Sequence, residues 1–212
     1  MKGDIMRFAV VLIGLTLCAA PAMAANGVAV TAGCAVEGSF GMALTLDGST
    51  NAAYVQDNSP ATETTFRARF QLRSNTLNLP NASAYAIAGF NGDAASGSVL
   101  RVYLTRNFAG AWRARAQAKN DPGGANWTRT GNVTLMGNGT PFTRQVEVEW
   151  GASDGSDNGF VTIRRIDNGA SATETGIDND QSEINRALFG GVLGMTGAMS
   201  GTACYDSYSS FR

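Results

Sequence analysis

Along most of the chain, apolar and polar residues alternate one for one. Phe66, Ala68, Phe70 and Leu72 are interleaved with Arg67, Arg69, Gln71 and Arg73, and Leu100, Val102 and Leu104 with Arg101 and Tyr103. Trp112, Ala114, Ala116 and Ala118 alternate with Arg113, Arg115, Gln117 and Lys119; Val146, Val148 and Trp150 alternate with Glu147 and Glu149. Successive side chains of a strand leave on opposite faces, so each segment has one dry and one wet side. Clusters that favour turns separate the segments: Asn91-Gly92-Asp93, Asp121-Pro122-Gly123-Gly124, Asn138-Gly139, Asp154 to Gly159 and Asp167-Asn168-Gly169. The one helical turn predicted is Gln181 to Arg186, with Asp178-Asn179-Asp180 as its cap. The pattern predicts an all-β chain folded as a two-sheet antiparallel β-sandwich, one domain over residues 25–212.

The first residues break this pattern. Lys2 and Arg7 precede an apolar run from Phe8 to Ala20, and Pro21-Ala22-Met23-Ala24 follows. A basic head, a short apolar stretch and small residues at Ala22 and Ala24 predict a signal peptide over residues 1–24, cleaved near Ala24, and a secreted or periplasmic product. The run is shorter than the about 20 residues that a membrane-spanning helix needs, so no span is expected in the mature chain. Leu17 before Cys18 is bulky where lipid attachment wants a small residue, which argues against a lipoprotein. Of the 16 basic and 17 acidic residues, cleavage removes Lys2, Arg7 and Asp4, leaving 14 and 16 and a net charge of −2. A weakly acidic chain lacks the electrostatic footprint of nucleic-acid binding.

With Cys18 removed, two cysteines remain, Cys34 and Cys204. In an oxidising compartment an even pair is most simply a disulfide, and here it would close nearly the whole mature chain.

Several segments resemble a known architecture. Ala53-Tyr54-Val55-Gln56-Asp57 followed by Glu63 to Phe70, the string Val146 to Trp150, the stretch Gly159 to Gly169, and the ending Gly201-Thr202-Ala203-Cys204-Tyr205-Asp206-Ser207-Tyr208 resemble concanavalin A-like, laminin-G-like jelly-roll domains of secreted bacterial proteins. The resemblance implies a jelly-roll β-sandwich with its first and last strands as neighbours, in agreement with a Cys34–Cys204 bridge. It licenses no activity, because this fold hosts lectins, glycosidases, adhesion modules and structural domains. It also implies a bacterial source, in which the Asn-X-Ser/Thr sequons at Asn81, Asn126, Asn132 and Asn138 carry no glycan.

The chain contains no histidine, which excludes Ser-His-Asp and Cys-His machinery and His-based zinc sites. Carboxylate chemistry survives: Glu147 and Glu149, two apart on a strand, share one face, as the acid and nucleophile of a glycoside hydrolase would. The structural alternative is cross-strand pairing with Arg67, Arg69, Arg113 or Arg115, all expected on the same wet face together with Arg73 and Arg101. That arginine stripe is read as a solvated surface, or as a surface for an anionic glycan or partner protein. Asp154, Ser156 and Asn158 have the spacing of a cation loop, but Arg165 occupies the offset of the closing acid. Both this loop and Asp178-Asn179-Asp180 are read as turn chemistry, with no metal or cofactor expected; the alternative is calcium at Asp178 and Asp180. For sugar binding, Trp127 in its polar stretch and then Tyr54 are the candidate stacking residues, whereas Trp112 and Trp150 fall in register with core positions. The expected function is a non-catalytic secreted β-sandwich that binds a carbohydrate or cell-surface component. The alternatives are a glycoside hydrolase using Glu147 and Glu149, and a structural or adhesion protein.

Overall fold

Among the described residues fourteen strands follow one another: β1 (Gly27–Thr31), β2 (Gly41–Asp47), β3 (Ala53–Asp57), β4 (Thr65–Arg73), β5 (Ser83–Asn91), β6 (Ser98–Arg106), β7 (Ala111–Lys119), β8 (Trp127–Arg129), β9 (Val133–Asn138), β10 (Thr143–Gly151), β11 (Gly159–Arg165), β12 (Ser171–Ile177), β13 (Arg186–Leu193) and β14 (Ser200–Phe211). They come from a computed structural model that describes residues 25–92, 97–121, 126–139 and 141–211. The signal segment expected at residues 1–24, Asp93 of the first turn and Pro122-Gly123-Gly124 of the second lie outside the described residues.

The strands form two antiparallel sheets. Sheet A has the order β1-β2-β14-β4-β10-β11-β12; sheet B has the order β3-β13-β5-β6-β7-β8, with β9 also pairing with β7. The molecule is a jelly-roll β-sandwich, and its last strand, β14, lies between β2 and β4. Every segment singled out by its alternation is a strand, with the apolar member facing in. Phe66, Ala68, Phe70 and Leu72 of β4, Val146, Val148 and Trp150 of β10, and Leu100, Val102 and Leu104 of β6 are all buried in one apolar layer. Trp112 and Trp150 are fully buried there. The small inward residues of β7, Ala114, Ala116 and Ala118, let β11 of sheet A come within 8 Å of β7 between Cα atoms. Ordinary sheet packing sits about 10 Å apart.

The segment expected as a helical turn is instead a turn leading into β13, with Ile184 bridged to Glu63. Its backbone donors have non-helical partners: Ser182 N–H donates to Asn179 O, and Gln181 N–H donates to the Asp121 carboxylate at 2.6 Å. Asn179 is buried and does not cap a helix; its Oδ1 accepts from Ser153 N–H at 2.7 Å. At the end of sheet B, Gly190 has φ +131°, and a Cβ there would stand 2.5 Å from Ala53 O. Glycine at this position lets β13 seat the edge strand β3 and its Tyr54.

The Cys34–Cys204 disulfide joins the one-turn 3₁₀ segment Ala32–Cys34 to β14 across 170 residues of sequence. Next to it, Asp206 accepts from Val36 N–H at 2.5 Å and Glu37 N–H at 2.7 Å. Partial burial would raise its pKa, but the N–H groups of Glu37, Val36 and Ser207 and the charge of Arg73 prevail and hold this carboxyl below its ordinary value. Disulfide and carboxylate together tie the entry of β2 to the final strand. Replacing Cys34 and Cys204 by serine is expected to lower stability by up to about 5 kcal/mol, the loop-entropy limit for so long a closed loop. Chemical denaturation with and without reductant measures this; an unchanged midpoint would show that the corner does not depend on the bridge.

Candidate functional site

The outward side chains of the two sheets differ sharply in how their charges are balanced. On sheet A, register sets Glu147 of β10 between Arg69 of β4 and Arg164 of β11. Its Oε2 accepts from Arg69 Nη2 at 2.6 Å and Nε at 3.0 Å, its Oε1 accepts from Arg164 Nη1 at 3.3 Å, and the side chain is only 2% exposed. Glu149 is opposite Arg67 and Thr162, and the Arg67 guanidinium lies over the Phe211 ring at 4.4 Å. The two glutamates do share a face, but Glu147 is enclosed by guanidinium groups.

Arg101, Arg113 and Arg115 are not on that face. They leave the far side of the molecule, from β6 and β7 of sheet B, so the expected single arginine stripe is in fact two. Alternation in a strand tells which residues travel together; it does not tell which sheet the strand joins.

The outer face of sheet B has four levels. Arg186 of β13 stands level with Asn91 of β5 at one end. Next comes a row of Gln56, Leu188, Gly89, Arg101, Gln117 and Arg129 across β3, β13, β5, β6, β7 and β8. The third level holds Ala86, Tyr103 and Arg115, and the fourth Ala84, Thr105, Arg113 and Thr134. Lys119 sits beside Trp127 where β7 pairs with β8. The strand positions of this face thus carry Arg101, Arg113, Arg115, Lys119, Arg129 and Arg186 and, among the described residues, no aspartate or glutamate. None of the five arginines has an ion-pair partner among the described residues.

Aromatic rings are set between these cations. Arg101 lies over the Trp127 ring at 4.1 Å, and Arg115 over the Tyr103 ring at 5.4 Å. Such contacts orient a guanidinium plane without neutralising its charge. Partial burial and the charge of Arg129 lower the Arg115 pKa, and Tyr103 opposes them. Its Nε, like that of Arg186, is buried without a hydrogen-bond partner. Besides Asn91, the central strand β5 contributes only the small residues Ala84, Ala86 and Gly89 outward; Ala86 is fully buried, and the Val192 and Leu188 side chains of β13 lie against Gly89. The structure places both stacking candidates on this one face, at its opposite edges: Trp127 on β8 and Tyr54, 41% exposed, on β3. Five strand spacings of about 4.8 Å put them about 24 Å apart. Sequence reasoning missed Tyr103, Arg129 and Arg186, which become members of the site only through their neighbours on other strands.

The acidic loops lie elsewhere. Asn158 Oδ1 accepts from Asp154 N–H at 3.0 Å, and Ser153 Oγ accepts from Gly155 and Asn158 N–H, so the Asp154 to Gly159 loop binds its own backbone. Asp178 is pushed above the ordinary carboxylate pKa by incomplete hydration and by the charges of Asp157, Asp180 and Asp121. Among the described residues no three or more His, Cys, Asp or Glu side chains are arranged to hold a metal ion. A cavity of about 320 Å³ opens between the sheets beside β1 and β3, and Phe40, Met42, Phe70 and Phe189 make its walls largely apolar. Tyr208 crosses to it from β14, donating to Asp57 at 3.1 Å.

No protein-family model matches the chain, and no curated protein matches it. Its fold is similar to solved structures. An endo-β-1,4-glucuronan lyase from the fungus Trichoderma reesei superposes with a TM-score of 0.62 at 12% identity, over 89% of this chain and 87% of that one. The cellulose induced protein Cip1 gives 0.55 at 15% identity, over 88% and 85%. An alginate lyase from Klebsiella pneumoniae gives 0.51 at 11% identity, over 84% and 83%. At these identities the likeness is one of fold.

Two outcomes separate structural from functional acids. Glu147→Ala leaves two guanidinium groups facing a vacated buried position and is expected to lower stability by about 3 kcal/mol, while Glu149→Ala changes it by less than about 1 kcal/mol. Denaturant midpoints read both; equal effects would contradict the enclosure of Glu147. For Asp178, the raised pKa means that its charge opposes folding above the carboxylate range and ceases to do so once it is protonated. Asp178→Asn is therefore expected to raise Tm at neutral pH, the gain fading as pH falls through the folded pKa. A fall in Tm at neutral pH, reproduced in the wild type by chelator, would reveal calcium at Asp178 and Asp180.

Proposed function

We propose that this protein is an exported, non-catalytic β-sandwich that binds an acidic polysaccharide through the outer face of sheet B. The observation that carries the reading is the charge asymmetry between the faces. Sheet A sets guanidinium groups on either side of Glu147, whereas the arginines of sheet B have no carboxylate beside them among the described residues and alternate with Trp127 and Tyr103. Guanidinium groups bind carboxylates through paired N–H donors, and indole and phenol rings offer flat apolar surface to the C–H faces of a sugar. A polymer crossing the strands would meet Tyr54, the arginine rows and Trp127 in turn. The similar folds named as lyases of glucuronan and alginate accord with a carbohydrate ligand. Export follows from the signal-peptide pattern and accords with the disulfide. The finer kinship, to laminin-G-like domains, belongs to the same proposal.

The hydrolase alternative has less support. Its acid would be Glu147, which is held by Arg69 and Arg164, and the cationic face offers neither a carboxylate among its described residues nor a histidine for the acid–base pair of glycosidic hydrolysis. An adhesion role would use the same face toward a different polyanion.

Titration calorimetry against alginate, glucuronan and a neutral β-glucan tests the proposal. Binding is expected to the two acidic polymers only, to weaken as ionic strength rises, and to fall about tenfold in Arg101→Gln, the loss of one charge-assisted contact of about 1.5 kcal/mol. Trp127→Ala should weaken it similarly. Prolonged incubation should yield neither new reducing ends nor ultraviolet-absorbing unsaturated ends. Equal binding to the neutral glucan, or release of products, would overturn the reading.

A further inference from the structure

Phe108 is 87% exposed, the most exposed large apolar side chain among the described residues. It stands at the tip of the tight turn Asn107 to Gly110 between β6 and β7, and this turn is clamped from several sides. Asn107 N–H donates to Ala111 O at 3.0 Å, Gly110 N–H donates to Asn107 O at 3.0 Å, and Asn107 Oδ1 accepts from Ala111 N–H at 2.7 Å. Asn81 Nδ2 donates to Phe108 O at 3.2 Å, and Arg106 Nε donates to Gly110 O at 3.3 Å while its Nη1 holds Leu79 O at 3.0 Å. A fully solvated phenyl ring gains nothing from such support in the folded protein alone.

Beside the ring lies a hollow of about 270 Å³. Its floor is small: Ser83, Ala84 and Thr105, with Ala82 in the left-handed region at φ +61°. A non-glycine residue at such a φ is strained and persists only where its surroundings impose it. Arg113 and Arg115 border the hollow, neither with an ion-pair partner among the described residues, and the Asn132 amide completes its rim. The concavity is shaped for one ring: an apolar plate on one side, two guanidinium groups on another and an amide for hydroxyls.

We propose that this hollow is a subsite for a single carboxylated sugar ring, with Phe108 stacked on the ring's C–H face and Arg115, assisted by Arg113, binding its carboxylate. The inference rests on reading the sheet B face as an acidic-polysaccharide surface, and it adds the position at which one residue of that polymer is gripped. Neither Phe108 nor the turn belongs to the strand rows described above, so the site extends beyond the sheet to its hairpin end.

The test uses the full mature protein and two kinds of probe. Alginate polymer is titrated into wild type, Phe108→Ala, Arg115→Gln and, as an exposed aromatic away from this face, Phe40→Ala. Saturation-transfer NMR compares glucuronate with glucose on the same four proteins. Phe108→Ala and Arg115→Gln are each expected to weaken alginate binding about tenfold and to abolish the glucuronate signal, with Phe40→Ala unchanged and glucose silent throughout. Circular dichroism and Tm identical to wild type in Phe108→Ala exclude unfolding as the cause. If wild type binds alginate and Phe108→Ala binds it equally well, the subsite is overturned while the reading of the face stands. Equal signals from glucose and glucuronate overturn the carboxylate assignment. If wild type binds no alginate or glucuronate, both the subsite and the reading beneath it fall.

Discussion

Each strand of the sandwich gives one face to the core, and charge in the sequence has to leave on the other. What then becomes of that charge depends on the strands that register places alongside. In sheet A, β10 runs between β4 and β11, and the pairing brings Arg69 and Arg164 to either side of Glu147. In sheet B, β6 runs between β5 and β7, and pairing brings Arg101 against Gln117 and Tyr103 against Arg115. The same period of two thus yields a closed ion-pair cluster on one side and concentrated positive charge on the other.

Most of the architecture can be read from the chain, for a definable reason. Alternation is a local property, and a half-buried strand must show it, so Phe66 to Leu72, Leu100 to Leu104, Trp112 to Ala118 and Val146 to Trp150 all declare themselves. The Cys34–Cys204 bridge is legible from residue counting plus compartment. Which sheet a strand joins is a non-local property. Arg69 and Arg115 look alike in sequence, each with alanine and arginine close by, yet one clasps a buried glutamate and the other has no carboxylate partner among the described residues. The segment Gln181 to Arg186 fails as a helix for a related reason: Asp121, about sixty residues earlier, captures its first free N–H, and Ile184 pairs with Glu63 instead.

The site was visible only as parts. Trp127 and Tyr54 stand out as polar-context aromatics, and each could as easily have covered an edge; the fold puts both on the outward face of one sheet. Arg129 and Arg186 carry no local signal, since each is a lone base at a strand end. Phe108 is the instructive omission. In sequence it is a single large apolar residue in a short turn, Asn107-Phe108-Ala109-Gly110, and a lone apolar side chain at the surface carries no signal of its own. Only the hydrogen bonds that fix the turn from Asn81 and Arg106 show that the ring is held outward.

Solvation by itself is a sufficient fate for isolated surface arginines, and the case for a ligand therefore turns on what solvation leaves unexplained. A stripe of freely hydrated bases would keep its side chains extended and its donors in water. Here Arg115 is partly withdrawn from water, its pKa is lowered by that burial and by Arg129, and its Nε is buried without a partner among the described residues. Withdrawing a cation from water without giving it an anion is unfavourable, and doing so next to another cation more so. Arg115 keeps that position on a rigid sheet, with Tyr103 under its guanidinium. An incoming carboxylate would find the donors already oriented and already dehydrated, and it would relieve a repulsion that the free protein bears. The guanidinium withdrawn from water and the face proposed to bind the polymer thus belong to the same sheet, whereas on the opposite sheet Glu147 stands between Arg69 and Arg164.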